Sequence, residues 1–143
     1  MAIYATLSNH FKKQVMDGLV DFGSHVFKMI LMKSAFSFDR DTHATYLDVS
    51  GEEIPQGNGY TSKGNTLESG ELTEDDTNDR GRMTWVGTTF TASGDTMGPI
   101  GSAIIFDETA TDDTVIGCID FDTAYSITAN SSLHIDSISV NLV

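Results

Sequence analysis

Residues 103–121 read AIIFDETATDDTVIGCIDF, the most strongly strand-forming stretch of the 143-residue chain. Ala103–Phe106 and Thr114–Phe121 are apolar runs of strand-forming residues. The polar loop ETATDD between them is too long for the tightest hairpin turns. The stretch therefore predicts two antiparallel strands of one hairpin. Cys118 is the single cysteine, so it forms no intramolecular disulfide, and its apolar neighbours predict a small buried side chain.

Short apolar segments separated by Gly, Asn and Asp predict further strands on both sides of this hairpin. Trp85 and Phe90 are predicted core residues. The apolar side chains of the last segment change parity, which predicts a β-bulge near Asp136 and Ser137. Glu74–Arg80 is predicted to be an exposed turn and Ser93–Ser102 a connection. The predicted strands are Tyr60–Ser62, Thr66–Leu72, Met83–Val86, Thr89–Ala92, Tyr125–Thr128 and Leu133–Val143.

The first half of the chain is less regular. Thr6 or Ser8 is positioned to cap a short helix that runs to about Asp17, with Gly18 just beyond its end. His25–Lys33 is apolar at both parities, which is typical of a strand covered on both faces, although a buried helical turn also fits. Ser34–Gly59 is long and irregular, with one helical turn predicted at 44–49, and loops of this length often contact a partner.

These patterns predict a mainly β chain: an antiparallel β-sandwich, jelly-roll-like, with a short N-terminal helix or arm. A length of 143 residues predicts a single domain, 1–143, with its own core. Within it, we assign residues 1–23 to the N-terminal arm and helix. Residues 24–143 are assigned to the sandwich, including the long 34–59 connection.

The chain is strongly acidic, with 8 basic residues against 21 acidic ones and a formal net charge of -13. Backbone contacts with nucleic acid need Lys and Arg to displace counterions, so nucleic acid is not an expected partner. The same reasoning argues against an anionic membrane surface. We expect synthesis in a cytoplasm, because the sequence shows neither a signal-peptide pattern nor about 20 consecutive apolar residues.

No arrangement of residues predicts catalysis. His10, His25, His43 and His134 are scattered, so they predict no zinc site. The chain has no GxSxG elbow and no phosphate-binding glycine pattern. We therefore expect a protein that is not an enzyme and that needs no cofactor and no metal. Acidic residues cluster at 39–41, 75–79 and 107–113; solvated turns are the favoured interpretation, and an irregular Ca²⁺ site is the alternative.

A second stretch, FDRDTHATYLDVSGEEIPQGNGYT from Phe38 to Thr61, is dense in polar and turn-forming residues. Together with residues 103–121, the link GNGYTSKGNTL and the strand MTWVGTTFTASG, it resembles small virion structural proteins of tailed bacteriophages. The resemblance covers roughly 24–143. It implies a head decoration (cement) protein, or else a tail, neck or fibre-associated protein. The chain has no heptads, which favours decoration over a fibre.

As a decoration protein, the chain is expected on the outer surface of the phage head, bound to the major capsid protein and to further copies of itself as a homotrimer. Its acidic turns, 74–79 and 107–113, are expected to face solvent, because a buried carboxylate needs a partner. A more distant alternative is a Ca²⁺- or carbohydrate-binding β-sandwich. The residues predicted to contact the capsid or a neighbouring subunit are Ile3, Tyr4, Leu7, Phe11, Phe38, His43, Tyr46 and Ile54.

Overall fold

The structure is a computed structural model that describes residues 5–143, and it confirms a mainly β chain built from antiparallel sheets. There are ten strands and two short helices in this range, with a 3₁₀ turn at Ser50–Glu52 after the second helix. The helices are α1 (Asn9–Met16) and α2 (Tyr46–Val49). The strands are β1 (Ala5–Leu7), β2 (Phe27–Lys33), β3 (Asn65–Thr66), β4 (Glu71–Asp75), β5 (Arg80–Trp85), β6 (Thr88–Thr91), β7 (Met97–Asp107), β8 (Val115–Ile127), β9 (Ser132–Ile135) and β10 (Ile138–Leu142).

The strands form one large sheet and two small ones. The large sheet has the order β1-β8-β7-β2-β3, the second has β10-β5-β4, and the third pairs β6 with β9. The predicted hairpin is confirmed as β7 and β8 at the centre of the large sheet. Both strands are longer than predicted. The connection predicted at 93–102 is wrong in its second half, because β7 begins at Met97 and register shifts absorb its Gly and Pro residues.

Three further strand predictions are wrong. Thr66–Leu72 is not one strand, because β3 ends at Thr66, β4 begins at Glu71 and the two strands belong to different sheets. Tyr60–Ser62 is not a strand; Tyr60 instead exchanges backbone hydrogen bonds with Gly57 across a tight turn. Leu133–Val143 is not one bulged strand, because β9 and β10 belong to different sheets. The chain turns between them at Ser137, whose φ is 54°. The parity change in the sequence therefore marks a change of sheet, and Ile135 and Ile138 are buried on either side of it.

Helix α1 forms as predicted. The Ser8 hydroxyl accepts a hydrogen bond from the Phe11 amide at 2.9 Å and donates one to the Val115 carbonyl at 2.6 Å. Asp17 ends the helix, and Gly18 follows with a φ of 73°. Within residues 5–143, neither helix approaches the length of apolar helix that a membrane span requires.

The first core lies between one face of the large sheet and the two small sheets. Phe27, Met29 and Leu31 of β2 point into it. The predicted core positions Trp85 and Phe90 are confirmed. Phe22 stacks on Phe27 with ring centroids 5.0 Å apart. The small sheets contribute Met83, Trp85, Phe90, Ile135, Ile138 and Val140.

The second core lies on the opposite face of the large sheet. The side chains from the sheet are Ile30, Met32, Ile104, Phe106, Val115 and Cys118, and all are buried. The 34–59 connection covers them with Tyr46 and Val49 of α2, flanked by Phe36 and Phe38. This explains why β2 is apolar at both parities: the molecule has an apolar layer on each side of it.

Gly64 is required where the chain returns to the edge of the large sheet. Its φ is 67°, a conformation that L side chains rarely adopt. A Cβ at this position would lie only 1.9 Å from the Met29 carbonyl oxygen. The glycine therefore allows β3, which follows the 34–59 connection, to approach β2 closely enough to pair with it.

Candidate functional site

The structure describes two of the four predicted N-terminal contact residues. Ile3 and Tyr4 lie outside the described residues. Leu7 is half-buried at the end of β1. Phe11 is fully buried in the first core, which corrects its prediction as a contact residue. The apolar stripe of α1 faces its own sheet, so the region after residue 4 is part of the folded domain and not a free arm.

The contact prediction is also corrected for two residues of the 34–59 connection. Tyr46 and Ile54 are buried, because this segment folds over its own sheet. The Tyr46 ring stacks on Phe106 at 5.0 Å between centroids, and the Ile54 amide donates to the Leu31 carbonyl at 3.0 Å. Neither side chain is available to a partner.

A buried carboxylate that sequence reasoning missed holds this connection in place. Glu53 accepts hydrogen bonds from the hydroxyls of Tyr46 and Tyr60 and from the Lys63 amide, the last at 2.9 Å. The Tyr60 hydroxyl accepts in turn from the Leu31 amide at 3.2 Å. Glu53 thus joins Tyr46 to Tyr60, and Tyr60 links both of them to Leu31 of β2. Its signal in the sequence is a Glu between two Tyr residues, each seven positions away.

The two tyrosines of this cluster and the buried Cys118 thiol have raised pKa values. Burial, together with the adjacent Glu53 carboxylate, raises the pKa of Tyr46 from 10.0 to about 12 and raises that of Tyr60 further. Burial also raises the pKa of the Cys118 thiol from 9.0 to about 12. All three groups are therefore neutral over the physiological pH range, and Cys118 serves as a core residue, as predicted.

We expect the free energy of unfolding to fall in alkaline solution. A folded-state pKa raised above the unfolded value gives stability that is complete below the unfolded pKa and is lost as pH rises towards the folded one. For Cys118 and Tyr46 this window runs from about pH 9 to 12. Tyr60, whose pKa is raised further, also loses stability above about pH 10. Urea unfolding should therefore show a loss on the order of 5 kcal/mol between pH 8 and 11, from about 1.4 kcal/mol per pH unit per group. Tyr46→Phe should make this slope shallower, and an unchanged slope would contradict the assignment.

The polar residues of the 38–48 stretch have local structural roles. Asp39 accepts a hydrogen bond from the Asp41 amide at 2.8 Å, which lowers the pKa of the Asp39 carboxyl. Asp48 caps α2 by accepting from the amides of Thr45 and Ala44, at 3.0 and 3.1 Å. The pKa of the Asp48 carboxyl is lowered for the same reason. These carboxylates shape turns and caps.

The same segment presents an apolar surface. The His43 ring lies between two half-buried aromatic rings, 5.1 Å from Phe36 and 5.7 Å from Phe38 by centroids. Its Nδ1 accepts from the Asp39 amide at 2.9 Å, which fixes the ring. Leu47 of α2 is 83% exposed. We name Phe36, Phe38, His43 and Leu47 the loop patch; it keeps two of the predicted contact residues, Phe38 and His43, at the surface.

Two imidazole–carboxylate pairs fasten the N-terminal region to the β7–β8 loop. His25 Nδ1 lies 2.6 Å from Asp107 Oδ2, and His10 Nε2 lies 2.8 Å from Asp112 Oδ2. Asp107 has no exposed surface and also accepts from the Thr109 amide at 3.0 Å. The prediction that residues 107–113 all face solvent is therefore wrong at Asp107, because this carboxylate is paired and ties the loop together.

A third histidine joins a surface network on β6 and β9. Thr89 Oγ1 lies 2.6 Å from His134 Nδ1, and His134 Nε2 lies 2.6 Å from Asp136 Oδ1. The order of groups is hydroxyl, imidazole, carboxylate, but all three side chains are exposed and water competes for each bond. Within residues 5–143, no three His, Cys, Asp or Glu side chains are grouped so that they could hold a metal ion.

An apolar groove of about 380 Å³ runs between the N-terminal region and β10. Met16 is 88% exposed and Val143 is 96% exposed. β1 and β10 are edge strands of two different sheets. The groove therefore lies where the edges of these two sheets leave apolar side chains uncovered. We name it the α1–β10 groove; its lining includes Leu7, Lys12, Val15, Met16, Leu142 and Val143.

Comparison with known proteins adds no relative: no protein-family model matches the chain, and no curated protein or solved structure does so either.

Proposed function

We propose that this chain is a non-enzymatic structural protein of a tailed-phage virion that decorates the outside of the head and stabilises it. The resemblance of residues 38–61 and 103–121 to small virion proteins supports this proposal. The partner is the major capsid protein. Binding to the assembled shell adds its binding free energy to the stability of that shell.

The observation that carries the proposal is the loop patch on its rigid support. Its aromatic side chains stand over the second core, and the buried Glu53 cluster holds the segment behind them. Half-buried aromatic groups on a fixed backbone suit an interface, because little conformational entropy is lost when they are covered. Leu47, on the same connection, provides further exposed apolar area.

The charge distribution suits an outward-facing protein. The β4–β5 hairpin carries exposed carboxylates at Glu74, Asp76 and Asp79, and it lies in the sheet on the other side of the large sheet from the loop patch. Attachment through the loop patch leaves this acidic turn in water, where it needs no partner. The net charge of -13 then keeps neighbouring particles apart.

The binding test uses heads assembled without this protein. Leu47→Asp should reduce affinity for such heads at least tenfold, because it places a charge in an apolar contact. The fold should persist, since Leu47 is exposed and an acidic residue suits the first turn of a helix. Val86→Asp is the matched control, because Val86 is also exposed but lies directly after β5. Equal binding of both variants would refute attachment through the loop patch.

Copy number separates head decoration from the alternative of a tail, neck or fibre-associated protein. Quantitative gels of purified virions should show this protein in numbers comparable to the major capsid protein. A few copies per particle would contradict decoration and favour the tail. Deleting residues 1–17 is not a useful test of attachment, because it would remove β1, α1 and the buried Phe11.

A further inference from the structure

We propose that the pocket between α1 and the β7–β8 loop binds a neutral sugar, one pyranose ring at a time. The pocket has a volume of about 370 Å³, at the small end of the roughly 300–1,000 Å³ that ligand pockets span. We name it the helix–loop pocket; its lining includes Gln14, Leu19, His25, Thr109, Thr111 and Asp112. The proposal is independent of attachment to a phage head.

Gln14 is the residue that indicates a ligand. Only 8% of it is exposed, and no hydrogen bond among residues 5–143 involves its side-chain amide. The amide atoms are not fully enclosed by protein, so they face accessible space, and the space that this residue lines is the pocket. A buried amide without a partner is costly. A ligand with hydroxyl groups in the pocket would supply the missing hydrogen bonds.

The other polar groups around the pocket include both donors and acceptors. His25 Nδ1 lies 2.6 Å from the buried Asp107 carboxylate, which can only accept, so Nδ1 carries the proton and Nε2 remains an acceptor. Thr109 Oγ1 accepts from the Val26 amide at 2.8 Å, so its own hydroxyl proton is free to donate. The Thr111 hydroxyl can do both. Each hydroxyl of a sugar also donates and accepts, so this mixed set suits a polyol.

The charges at the pocket disfavour an ionic ligand. Asp112 is the carboxylate of the lining, and it already pairs with His10 at 2.8 Å and accepts from the Thr114 hydroxyl. An anion would be repelled by this carboxylate and by the net charge of -13. A cation would have to compete with both existing partners of Asp112. An uncharged ligand meets neither obstacle.

The pocket also has an apolar wall. Leu19, just after α1, is 52% exposed, and Ala110 of the β7–β8 loop lines the same pocket. A pyranose ring carries C–H groups on its faces, so it can contact these side chains while its hydroxyls reach the polar groups. The lining is therefore partly apolar and partly hydrogen-bonding, as a sugar is.

The two sides of the pocket are fixed relative to each other. The pairs His25–Asp107 and His10–Asp112 connect the N-terminal region to the β7–β8 loop. Asp107 also accepts from two amides of that loop, at 3.0 and 3.2 Å. A preformed pocket loses little conformational entropy when it is occupied. A single pyranose is a small ligand, so we expect a Kd that is roughly millimolar.

Chemical-shift mapping by ¹H–¹⁵N NMR tests the site. The probes are methyl α-glucopyranoside, methyl α-galactopyranoside and methyl α-mannopyranoside, each titrated into the full chain. At least one should shift the side-chain amide resonance of Gln14 and the backbone amides of residues 109–112 in a saturable way. Gln56 is an internal control, because it is exposed and lies outside the pocket lining. No shift with any of the three sugars, or shifts only elsewhere, would overturn the proposal.

Gln14→Leu should weaken the binding of that sugar about tenfold, because it removes the amide and keeps the size of the side chain. Gln56→Leu is the matched control and should bind as the natural protein does. Thr111→Val, at an exposed position, should also weaken binding, and Thr123→Val on β8 is its control. Unchanged binding by Gln14→Leu would refute the site, and if that variant failed to fold, Thr111→Val decides in its place. Binding of spermidine in preference to all three sugars would equally refute it, because the pocket would then be a cation site.

Discussion

Replacing Glu53 with alanine should lower the free energy of unfolding by about 3–5 kcal/mol, the cost of leaving several buried hydrogen-bond donors without their charged acceptor. The substitution leaves the hydroxyls of Tyr46 and Tyr60 and the Lys63 amide without their acceptor. Each unsatisfied buried donor costs about 1–3 kcal/mol, which is consistent with that total. At about 2–4 °C per kcal/mol, the melting temperature should fall by roughly 10 °C or more.

The neighbouring residue provides the control for this experiment. Glu52 is exposed and carries the same charge, so Glu52→Ala should change stability by less than about 0.5 kcal/mol. Glu53→Gln should fall between the two, because its amide retains one acceptor oxygen. Similar melting temperatures for Glu52→Ala and Glu53→Ala would show that the cluster does not hold the 34–59 connection in place.

Truncation of Phe106 to alanine should also cost about 3–5 kcal/mol, since it opens a cavity in the second core. Phe106 is fully buried and stacks on Tyr46, so the lost contacts lie between the large sheet and the connection that covers it. Urea unfolding monitored by circular dichroism would measure the loss as a lower midpoint with a similar slope.

Leu47→Ala is the matched control, because Leu47 lies next to Tyr46 in α2 but is 83% exposed. Its stability should remain within about 0.5 kcal/mol of the natural protein. If Phe106→Ala were equally mild, the 34–59 connection would not form a packed layer, and the loop patch would lack the rigid support on which the proposed function depends.

The elements predicted correctly are those with strong local signals. The capping serine and the glycine after the helix define α1, and two continuous apolar runs define the β7–β8 hairpin. The second half of the 93–102 connection and the single last strand were predicted wrongly. Gly, Pro and parity changes indicate an irregularity without showing whether the chain bends, bulges or changes sheet.

The contact residues were less predictable, because an apolar residue in an irregular segment can either be buried against its own sheet or remain at the surface. Phe38 and His43 are at the surface, whereas Tyr46 and Ile54 are buried. The four residues lie in one polar stretch, and no local pattern separates them. What separates them is the sheet face beneath, which accepts Tyr46 against Phe106.

The mainly β fold, the position of α1, the acidic character and the buried state of Cys118 could be predicted from the sequence alone, because each depends on local propensity, hydrophobicity or a simple count of charges. Three features became visible only in the folded chain: the 34–59 connection covers its own sheet, Glu53 and Asp107 are buried with partners, and the edges of two sheets leave the α1–β10 groove open. These features join residues far apart in the chain, and they follow from which apolar faces remain uncovered when the sheets have packed.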